Sequence, residues 1–329
     1  PRSTLSSSSA ASDVYKRQLL HGDVGSGKTV VAAAAMLKAV ENDVQAVLMA
    51  PTELLAEQHG STLAGWFGPL GVEVTLLTGR LGAAEREAAL EGLRSGDVRV
   101  AVGTQALIQD AVEFRRAGIV VIDEQHRFGV DQRRALAETG AAADVLVMSA
   151  TPIPRSLALA LYGDLDVSTL DEMPPGRRPV VTAVRAYGAR AAALDWLEER
   201  LAEGRQAYVV HPLIEASDAV DAAAATAGHE ELTKRFGDRR VALLHGRMPA
   251  AERDEVMRAF LAGDVDVLVA TTVIEVGIDV PNATVMLIEH AERFGLAQLH
   301  QLRGRVGRGS EQSWCIAFHG GEEPPERLR

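Results

Sequence analysis

The stretch Gly22-Asp23-Val24-Gly25-Ser26-Gly27-Lys28-Thr29 is the most informative part of the sequence, because it joins a short apolar segment to an alanine-rich segment of helical character. Two glycines that flank four residues and precede Lys-Thr form the phosphate-loop pattern. In it, backbone amides curl around phosphate oxygens and the following helix points its positive end at them. Lys28 is predicted to reach the β and γ phosphates, and the Thr29 hydroxyl to ligate Mg²⁺. A chance glycine-rich turn is the alternative, but the flanking strand and helix favour a nucleotide site.

A second group of polar residues follows an apolar run later in the chain. Ile119-Val120-Val121-Ile122 predicts a buried strand, and Asp123-Glu124-Gln125-His126 follows it directly. Ligands of an open parallel sheet bind at the carboxyl ends of its strands. We expect Asp123 to hold Mg²⁺, partly through water, and Glu124 to position and activate the attacking water as a general base. His126 is a candidate for contact with the γ phosphate or the domain cleft, and the alternative is a surface histidine.

Apolar segments of strand length alternate with longer helical patterns along the chain, which favours βαβ units and parallel sheets. Residues 171–179 interrupt the alternation, because their three prolines and one glycine cannot continue a helix or a central strand. We therefore predict two consecutive α/β domains, residues 19–173 and 180–329, joined by a linker over 174–179. The predicted helices include 28–41, 52–67 and 251–262. The predicted strands are 19–21, 46–50, 72–77, 98–102, 119–122 and 145–149, then 180–184, 206–211, 241–244, 265–270, 284–288 and 314–318.

The composition excludes several classes of protein. Of the 329 residues, 47% are hydrophobic and 24% are charged, which is the balance of an ordinary globular protein. No apolar run reaches the roughly 18 residues that span a bilayer, so we expect no membrane partner. The net charge of −11 argues against a general nucleic-acid-binding protein, although it allows local basic strips.

Cysteine and histidine usage gives no sign of a structural metal or a disulfide framework. The single cysteine, Cys315, excludes an intramolecular disulfide and a cysteine-rich zinc site, and we expect it in the core of a late strand. The nine histidines form no metal-ligand cluster in the sequence. Four of them are expected to be surface or packing residues: His59, His229, His290 and His319.

Together these motifs resemble those of superfamily 2 nucleic-acid motors and, within that superfamily, the RecG family of bacterial ATP-dependent DNA helicases. The resemblance covers residues 19–318, and the most telling stretches beyond the phosphate loop are Asp123-Glu124-Gln125-His126-Arg127-Phe128-Gly129-Val130 and Pro174-Pro175-Gly176-Arg177. Transcription-repair coupling factors are near relatives that typically have Glu where Gln125 stands. DEAD-box RNA helicases are less similar, because they have Asp where His126 stands.

Further stretches of the chain resemble the other motifs of these helicases. In the first predicted domain they are Ala50-Pro51-Thr52-Glu53-Leu54-Leu55-Ala56-Glu57-Gln58, Val102-Gly103-Thr104-Gln105-Ala106-Leu107 and Ser149-Ala150-Thr151-Pro152-Ile153-Pro154-Arg155. In the second they are Leu244-His245-Gly246-Arg247-Met248, Ala270-Thr271-Thr272-Val273-Ile274-Glu275-Val276-Gly277-Ile278-Asp279-Val280-Pro281 and Gln298-Leu299-His300-Gln301-Leu302-Arg303-Gly304-Arg305-Val306-Gly307-Arg308-Gly309.

The resemblance implies two tandem RecA-like P-loop NTPase domains, each a mainly parallel sheet flanked by helices. It implies ATP and Mg²⁺ as cofactors, and duplex or branched DNA, held mainly through its phosphate backbone, as the partner. It places Gly277 and Asp279 near the nucleotide ribose and γ phosphate. It assigns a role in coupling ATP hydrolysis to movement to His126, Ser149, Thr151 and Gln301.

Two further groups of residues are expected to contact phosphates. Thr52, Thr104 and Thr272 each follow a predicted strand, at or beside a helix N-terminus where a hydroxyl and free amides can receive a DNA phosphate. Simple N-capping is the alternative and is compatible with DNA contact. Arg305 and Arg308 are three residues apart on a predicted helix and would share a face. We expect both to act as arginine fingers on the γ phosphate, and the alternative is a basic helix face on DNA.

These features predict the motor core of an ATP-dependent DNA helicase or translocase of recombination and replication-fork repair, cytosolic and monomeric. The alternatives are a nucleotide-dependent DNA-binding fragment that hydrolyses ATP poorly, the motor of a translocase like the transcription-repair coupling factor, and an RNA helicase. Residues 1–18 are Ser-rich and aperiodic, which is typical of a disordered tail or an artefactual segment. We expect the chain to be a piece of a longer protein that lacks the family's wedge domain and the end of the second domain.

Overall fold

The computed structural model describes residues 17–109, 111–124, 143–150, 166–172, 178–212, 218–237, 239–271, 278–321 and 323–326. The chain divides into two compact units, made of the described residues of 1–21 and 28–169, and of 22–27 and 170–329. Residues 1–16 of the predicted tail and most of the predicted linker lie outside the described residues. The predicted domain bounds therefore stay predictions.

The first unit is built on a seven-stranded sheet with the strand order β3-β4-β2-β5-β6-β1-β7. Its strands are β1 (Arg17–Gly22), β2 (Gln45–Met49), β3 (Val74–Leu77), β4 (Val100–Gly103), β5 (Ala117–Asp123), β6 (Asp144–Ser149) and β7 (Asp166–Leu170). Its described helices are α1 (Lys28–Glu41), α2 (Glu53–Phe67) and α3 (Ala83–Ser95). The pairings from β3 through to β1 are all parallel.

The second unit is built on a six-stranded sheet with the strand order β10-β11-β9-β12-β13-β8, and all its pairings are parallel. Its strands are β8 (Val181–Ala186), β9 (Gln206–Val210), β10 (Val241–Leu244), β11 (Val267–Ala270), β12 (Ala283–Ile288) and β13 (Trp314–His319). Its described helices are α4 (Arg190–Ala202), α5 (Asp218–Phe236), α6 (Ala250–Leu261) and α7 (Leu296–Arg303).

Five of the inner strands are buried along their whole length, as expected of parallel sheets covered on both faces. Every residue of β2, β4, β9, β11 and β12 is buried. Cys315 is also buried, in the middle of the core on β13, which confirms its predicted place. Among the described helices, none combines the length and apolar character that would let it cross a membrane.

The strands predicted from the sequence are all present, with shifts of at most two residues at their ends, and two differences are informative. β1 begins at Arg17, so Arg17 and Gln18 pair with β6 instead of belonging to the predicted tail. β7, Asp166–Leu170, is missing from the prediction. Its residues are exposed or only half-buried, because it is the last strand of the sheet order, so it carries no apolar run.

A buried glutamine opens a central strand of the first sheet. Gln45 begins β2, and its Nε2 donates to the carbonyl oxygens of Leu93 and Val98 at 2.9 and 2.8 Å. Its Oε1 accepts a hydrogen bond from the amide of Arg116 at 3.0 Å. The side chain therefore fastens the start of β2 to the end of α3 and to the segment just before β5.

The second sheet uses the same device. Gln206 begins β9, and its Nε2 donates to the carbonyl oxygens of Phe260 and Val265 at 2.6 and 2.7 Å. Phe260 lies in the last turn of α6, as Leu93 lies in the last turn of α3. The two units thus resemble each other in a tertiary contact, although the sequence shows no repeat.

We predict that Gln206→Leu lowers the free energy of unfolding by about 2 kcal/mol, because two buried carbonyl oxygens lose their donor. The change is measured by urea denaturation, followed by the fluorescence of Trp196 and Trp314. The ring centroids of these two residues lie 5.2 Å apart in the same unit. The control Glu198→Leu alters an exposed side chain of α4 in the same unit and should change stability by less than about 0.5 kcal/mol. Equal stabilities of the two variants would contradict the assignment.

Candidate active site

Three neighbouring strands of the first sheet end beside one another. β6 lies between β5 and β1, and both pairings are parallel. The register places His21 opposite Ser149, and Asp123 opposite Met148. Because parallel strands run in one direction, the segments that follow β1, β5 and β6 leave from the same carboxyl edge. The phosphate loop, the Asp123-Glu124 pair and Ser149 therefore start from one edge of the first sheet.

The phosphate loop has the backbone conformation that its glycines permit. Gly25 and Gly27 have φ angles of 77° and 93°, in the left-handed region that side chains disfavour. The amide of Ser26 donates to the carbonyl of Asp23 at 3.1 Å, which closes a turn. Helix α1 begins at Lys28, directly after the loop, so its first amides and its positive end face the loop.

A buried hydroxyl in this loop fits the binding of a phosphate. The Ser26 side chain is buried, and its Oγ has no hydrogen-bond partner among the described residues. A hydroxyl left without a partner costs free energy, and a phosphate oxygen would satisfy it. Gly22 leaves no room for a side chain here, because a Cβ on it would lie 2.5 Å from Ser26 Oγ. The loop is therefore shaped for a ligand that accepts hydrogen bonds from amides and a hydroxyl.

Asp123 and Glu124 occupy the end of β5 in different backbone conformations. Asp123 is the last residue of the strand, and its carboxylate accepts a hydrogen bond from Nε2 of His59 at 2.9 Å. Glu124 continues the ladder, since its amide donates to the carbonyl of Met148 at 3.0 Å. However, Glu124 has a φ of 48°, a left-handed conformation that is uncommon for residues other than glycine. Such backbone conformations cluster at functional sites, where the surrounding structure holds them.

The contact with His59 corrects the expectation that this histidine is only a surface or packing residue. His59 lies on α2, next to the buried residues Ala56 and Gly60 of that helix. Its side chain is 11% exposed and that of Asp123 is 13% exposed, so the pair is largely removed from solvent. The sequence contains a signal for this contact. His59 follows Leu55 and Ala56 by four and three residues, so it lies beside the apolar face of an amphipathic helix.

No group of three or more His, Cys, Asp or Glu side chains that could hold a metal occurs in the described part of the chain. A magnesium ion needs no such group, because it keeps several waters and is often held by one or two carboxylates together with substrate phosphates. Thr29 at the start of α1 and Asp123 at the end of β5 supply oxygen ligands of the kind that Mg²⁺ takes.

In the second unit the structure brings together two of the predicted nucleotide residues. Nη1 of Arg308 lies 3.5 Å from Oδ1 of Asp279, and the Arg308 side chain is 10% exposed. Its Nε donates to the carbonyl of Gly304 at 3.2 Å. Arg305 is also buried, with 4% of its surface exposed. Burial raises the pKa of the Tyr208 hydroxyl, and the positive charges of Arg308 and Arg305 oppose this shift only in part.

The prediction that Arg305 and Arg308 share a helix is wrong. Helix α7 ends at Arg303 with Gly304 as its C-cap, so both arginines lie in the loop that follows. Gly307, between them, has a φ of 79°, a left-handed conformation that an α-helix does not contain. The conformation of this loop, rather than helical spacing, sets the direction of the two side chains.

Two of the three predicted DNA-contacting threonines, Thr52 and Thr104, are described, and both lie at the starts of helical segments. Thr52 is the N-cap of α2, and its Oγ1 accepts a hydrogen bond from the amide of Leu55 at 3.3 Å. Thr104 follows β4 and precedes a 3₁₀ helix at Gln105–Ile108 without a side-chain cap. Capping by Thr52 is thus observed, and the DNA contacts stay predictions. Ser149 is buried at the end of β6 and Gln301 lies on α7. Four further predicted residues lie outside the described part of the chain: His126, Thr151, Thr272 and Gly277.

Comparison with known proteins relates both units to helicases. The DEAD/DEAH box helicase family matches residues 6–159, and the helicase conserved C-terminal domain matches residues 191–310. The ATP-dependent DNA helicase RecG of Streptococcus pneumoniae serotype 4 is 55% identical over 306 residues, covering 93% of this chain and 45% of that protein. Its namesake in Escherichia coli K12 is 52% identical over 314 residues, covering 94% of this chain and 45% of that protein. The chain spans about half the length of the curated relatives it matches.

Solved structures show the same relationship. A structure of RecG bound to a three-way DNA junction is 46% identical, with a TM-score of 0.81, and the match covers 95% of this chain and 41% of that one. Yeast Dbp5 bound to RNA and ADP–BeF₃ has a TM-score of 0.67 at 19% identity, covering 93% of this chain and 80% of that one, and shows likeness of fold alone. The predicted fold, two tandem RecA-like domains with parallel sheets flanked by helices, is confirmed.

We predict that Gly22→Ala weakens the binding of Mg²⁺-ADP about ten-fold or more. The new Cβ would lie 2.5 Å from Ser26 Oγ and 3.0 Å from Leu170 Cβ, so the loop must shift at a cost of about 2 kcal/mol. Titration with a fluorescent ADP analogue measures the affinity. The control Gly65→Ala adds a methyl group on α2 that meets nothing within 4 Å, and it should leave binding unchanged. Equal affinities in the two variants would contradict the proposed shape of the loop.

Proposed function

We propose that the chain is a member of the RecG family of ATP-dependent DNA helicases and an ATP-hydrolysing motor that drives movement on duplex or branched DNA. The observation that carries the proposal is the shared carboxyl edge of β1, β5 and β6, which collects the phosphate loop, Asp123 and Glu124. Ligand-binding sites of open parallel sheets form at such an edge. The identity of 46–55% with RecG proteins over at least 93% of the chain supports the choice of DNA as the track.

The proposed nucleotide-binding residues are those of the loop that begins at Gly22 and those at the start of α1. The backbone amides of the loop and the Ser26 hydroxyl donate to phosphate oxygens, and Lys28 adds a positive charge beside the β and γ phosphates. Thr29 and Asp123 would hold Mg²⁺, which would neutralise charge on the β and γ phosphates when bound. These residues bind and orient the triphosphate, and positioning of this kind supplies much of the rate enhancement in phosphoryl transfer.

Glu124 is the proposed general base for hydrolysis. It directly follows Asp123, so a carboxylate for proton transfer stands next to the carboxylate for magnesium. The left-handed backbone at Glu124 interrupts the alternation of the strand, so its side chain does not follow the direction that a regular strand would impose. In this role Glu124 orients a water and accepts its proton as the oxygen attacks the γ phosphorus.

Arg305 and Arg308 are the proposed arginine fingers. A guanidinium group presents planar paired donors suited to phosphate oxygens, and a finger of this kind raises hydrolysis rates by about 10³-fold or more. Arg308 is paired with Asp279 in the present structure, so the proposal requires that this ion pair opens or shares Arg308 with the nucleotide. In this proposal Asp279 holds the Arg308 side chain in a fixed direction between turnovers.

DNA contact is proposed through its phosphates, because a motor that reads base edges would stall at preferred sequences. Thr52, Thr104 and Thr272 are the proposed contacts. Four residues are proposed to couple hydrolysis to movement: His126, Ser149, Thr151 and Gln301. We also propose a monomer in the bacterial cytosol, acting in recombination and replication-fork repair, as the resemblance to RecG proteins suggests.

A second candidate function is that the chain binds nucleotide and DNA but hydrolyses ATP poorly, and the ion pair of Arg308 with Asp279 favours it, because an arginine held by a carboxylate is not free to serve the γ phosphate. A motor of the transcription-repair coupling type stays a further alternative. ATP hydrolysis measured without nucleic acid, and with single strand, duplex and fork, separates these functions.

We predict that Lys28→Ala and Glu124→Gln each lower ATP hydrolysis about 100-fold or more, because one loses phosphate charge and the other the general base. Phosphate release in the presence of forked DNA measures the rate. The control Lys38→Ala removes an exposed lysine of the same helix, which pairs with Glu41 at 3.0 Å, and should keep the full rate. Equal hydrolysis by the wild type and Lys28→Ala would refute the nucleotide site.

We also predict that forked duplex DNA stimulates hydrolysis more than RNA of the same sequence does, and that added salt reduces the stimulation because phosphate contacts release counterions. Steady-state hydrolysis over a range of salt concentrations measures both effects. Stronger stimulation by RNA would favour the RNA helicase alternative over a DNA motor.

A further inference from the structure

The contact between His59 and Asp123 joins a helix to the candidate magnesium site. His59 Nε2 lies 2.9 Å from Asp123 Oδ2, and the two residues are 64 positions apart in the chain. A carboxylate can only accept, so the imidazole Nε2–H is the donor and the proton lies on this nitrogen. The contact is charge-assisted and largely out of solvent, which makes it stronger and more directional than a surface contact.

The histidine is held in place by the helix that carries it. On α2, the residues Leu55, Ala56, Gly60 and Leu63 around His59 are buried, and Thr52 caps the helix. A Cβ on the neighbouring Gly60 would already be in contact with Leu76 of β3, at 3.6 Å, so this part of α2 packs closely against the sheet. The imidazole therefore reaches Asp123 from a rigid support rather than from a flexible loop.

We propose that His59 is a positioning residue for the magnesium carboxylate of the proposed ATPase. By engaging Oδ2, His59 fixes the rotation of the Asp123 side chain and leaves Oδ1 as the oxygen available to Mg²⁺ or its water. Carboxylates that serve a metal are commonly fixed by such outer hydrogen bonds, and loss of the outer partner typically weakens metal binding about ten-fold or more. The inference rests on the proposed function, and it goes beyond it by giving a role to a residue outside the nucleotide motifs.

Two substitutions separate this role from simple packing. His59→Leu keeps bulk on α2 but removes the donor. His59→Gln keeps an amide nitrogen at the same number of bonds from the backbone as Nε2 of the imidazole, so it can still donate to Asp123. The matched control is His229→Leu, which removes an imidazole whose Nε2 contacts a backbone carbonyl, that of Val241, at 3.1 Å in the second unit.

The test is the magnesium dependence of nucleotide binding, which requires no turnover. Each variant of the full chain is titrated with a fluorescent ADP analogue, first in EDTA and then at increasing Mg²⁺ concentrations. We expect His59→Leu to raise the Mg²⁺ concentration for half-maximal binding about ten-fold, with binding in EDTA unchanged. His59→Gln and His229→Leu should both stay near the wild-type value.

The same titration can overturn the inference. It is wrong if His59→Leu and the wild type share one magnesium dependence, if His59→Gln is as weak as His59→Leu, or if binding in EDTA falls as much as binding in Mg²⁺. If His59→Leu does not fold, His59→Asn, whose amide is one bond shorter, takes its place in the comparison. A wild type that binds Mg²⁺-ADP but does not hydrolyse ATP would count against the proposed function alone.

Discussion

The parallel direction of neighbouring strands is the constraint on which the candidate site depends. β1, β6 and β5 run side by side in one direction, so Gly22, Ser149 and Asp123 come to the same edge although they are distant in the sequence. If β5 ran the other way, its seven residues would carry Asp123 about 20 Å to the opposite edge. The chemistry of phosphate, magnesium and water then needs only short loops, because the sheet has already brought the strand ends together.

Features that are encoded locally could be predicted from the sequence. The phosphate loop has a fixed spacing of residues, and helix α1 spans Lys28–Glu41 as predicted. Both can be predicted because the positions of glycines and the period of apolar residues are properties of neighbouring residues. Buried parallel strands were visible as short apolar runs. The sequence does not predict the strand Asp166–Leu170, because this strand is largely exposed and lacks such a run. Helical spacing places Arg305 on a helix, because it says nothing of the Gly304 cap that ends α7.

Contacts between distant residues could not be predicted, because no local pattern records the partner of a buried polar group. Gln45 and Gln206 hold the starts of equivalent strands through carbonyl oxygens that lie roughly 50 residues away, and the sequence shows only two ordinary glutamines. His59 likewise reads as a helix residue until the sheet places Asp123 beside it. Thr52 caps helix α2 and His59 lies about two turns later, so one rigid element links a proposed DNA contact to the proposed magnesium carboxylate.

The most direct test of the central claim is a crystal structure of this chain with ADP, beryllium fluoride and Mg²⁺. Our account predicts phosphates bound by the amides of residues 22–29 and by Lys28, with the Thr29 hydroxyl and the Asp123 carboxylate serving the metal directly or through water. A nucleotide bound away from the carboxyl edge of β1, β5 and β6, or a magnesium ion out of reach of Asp123, would contradict it.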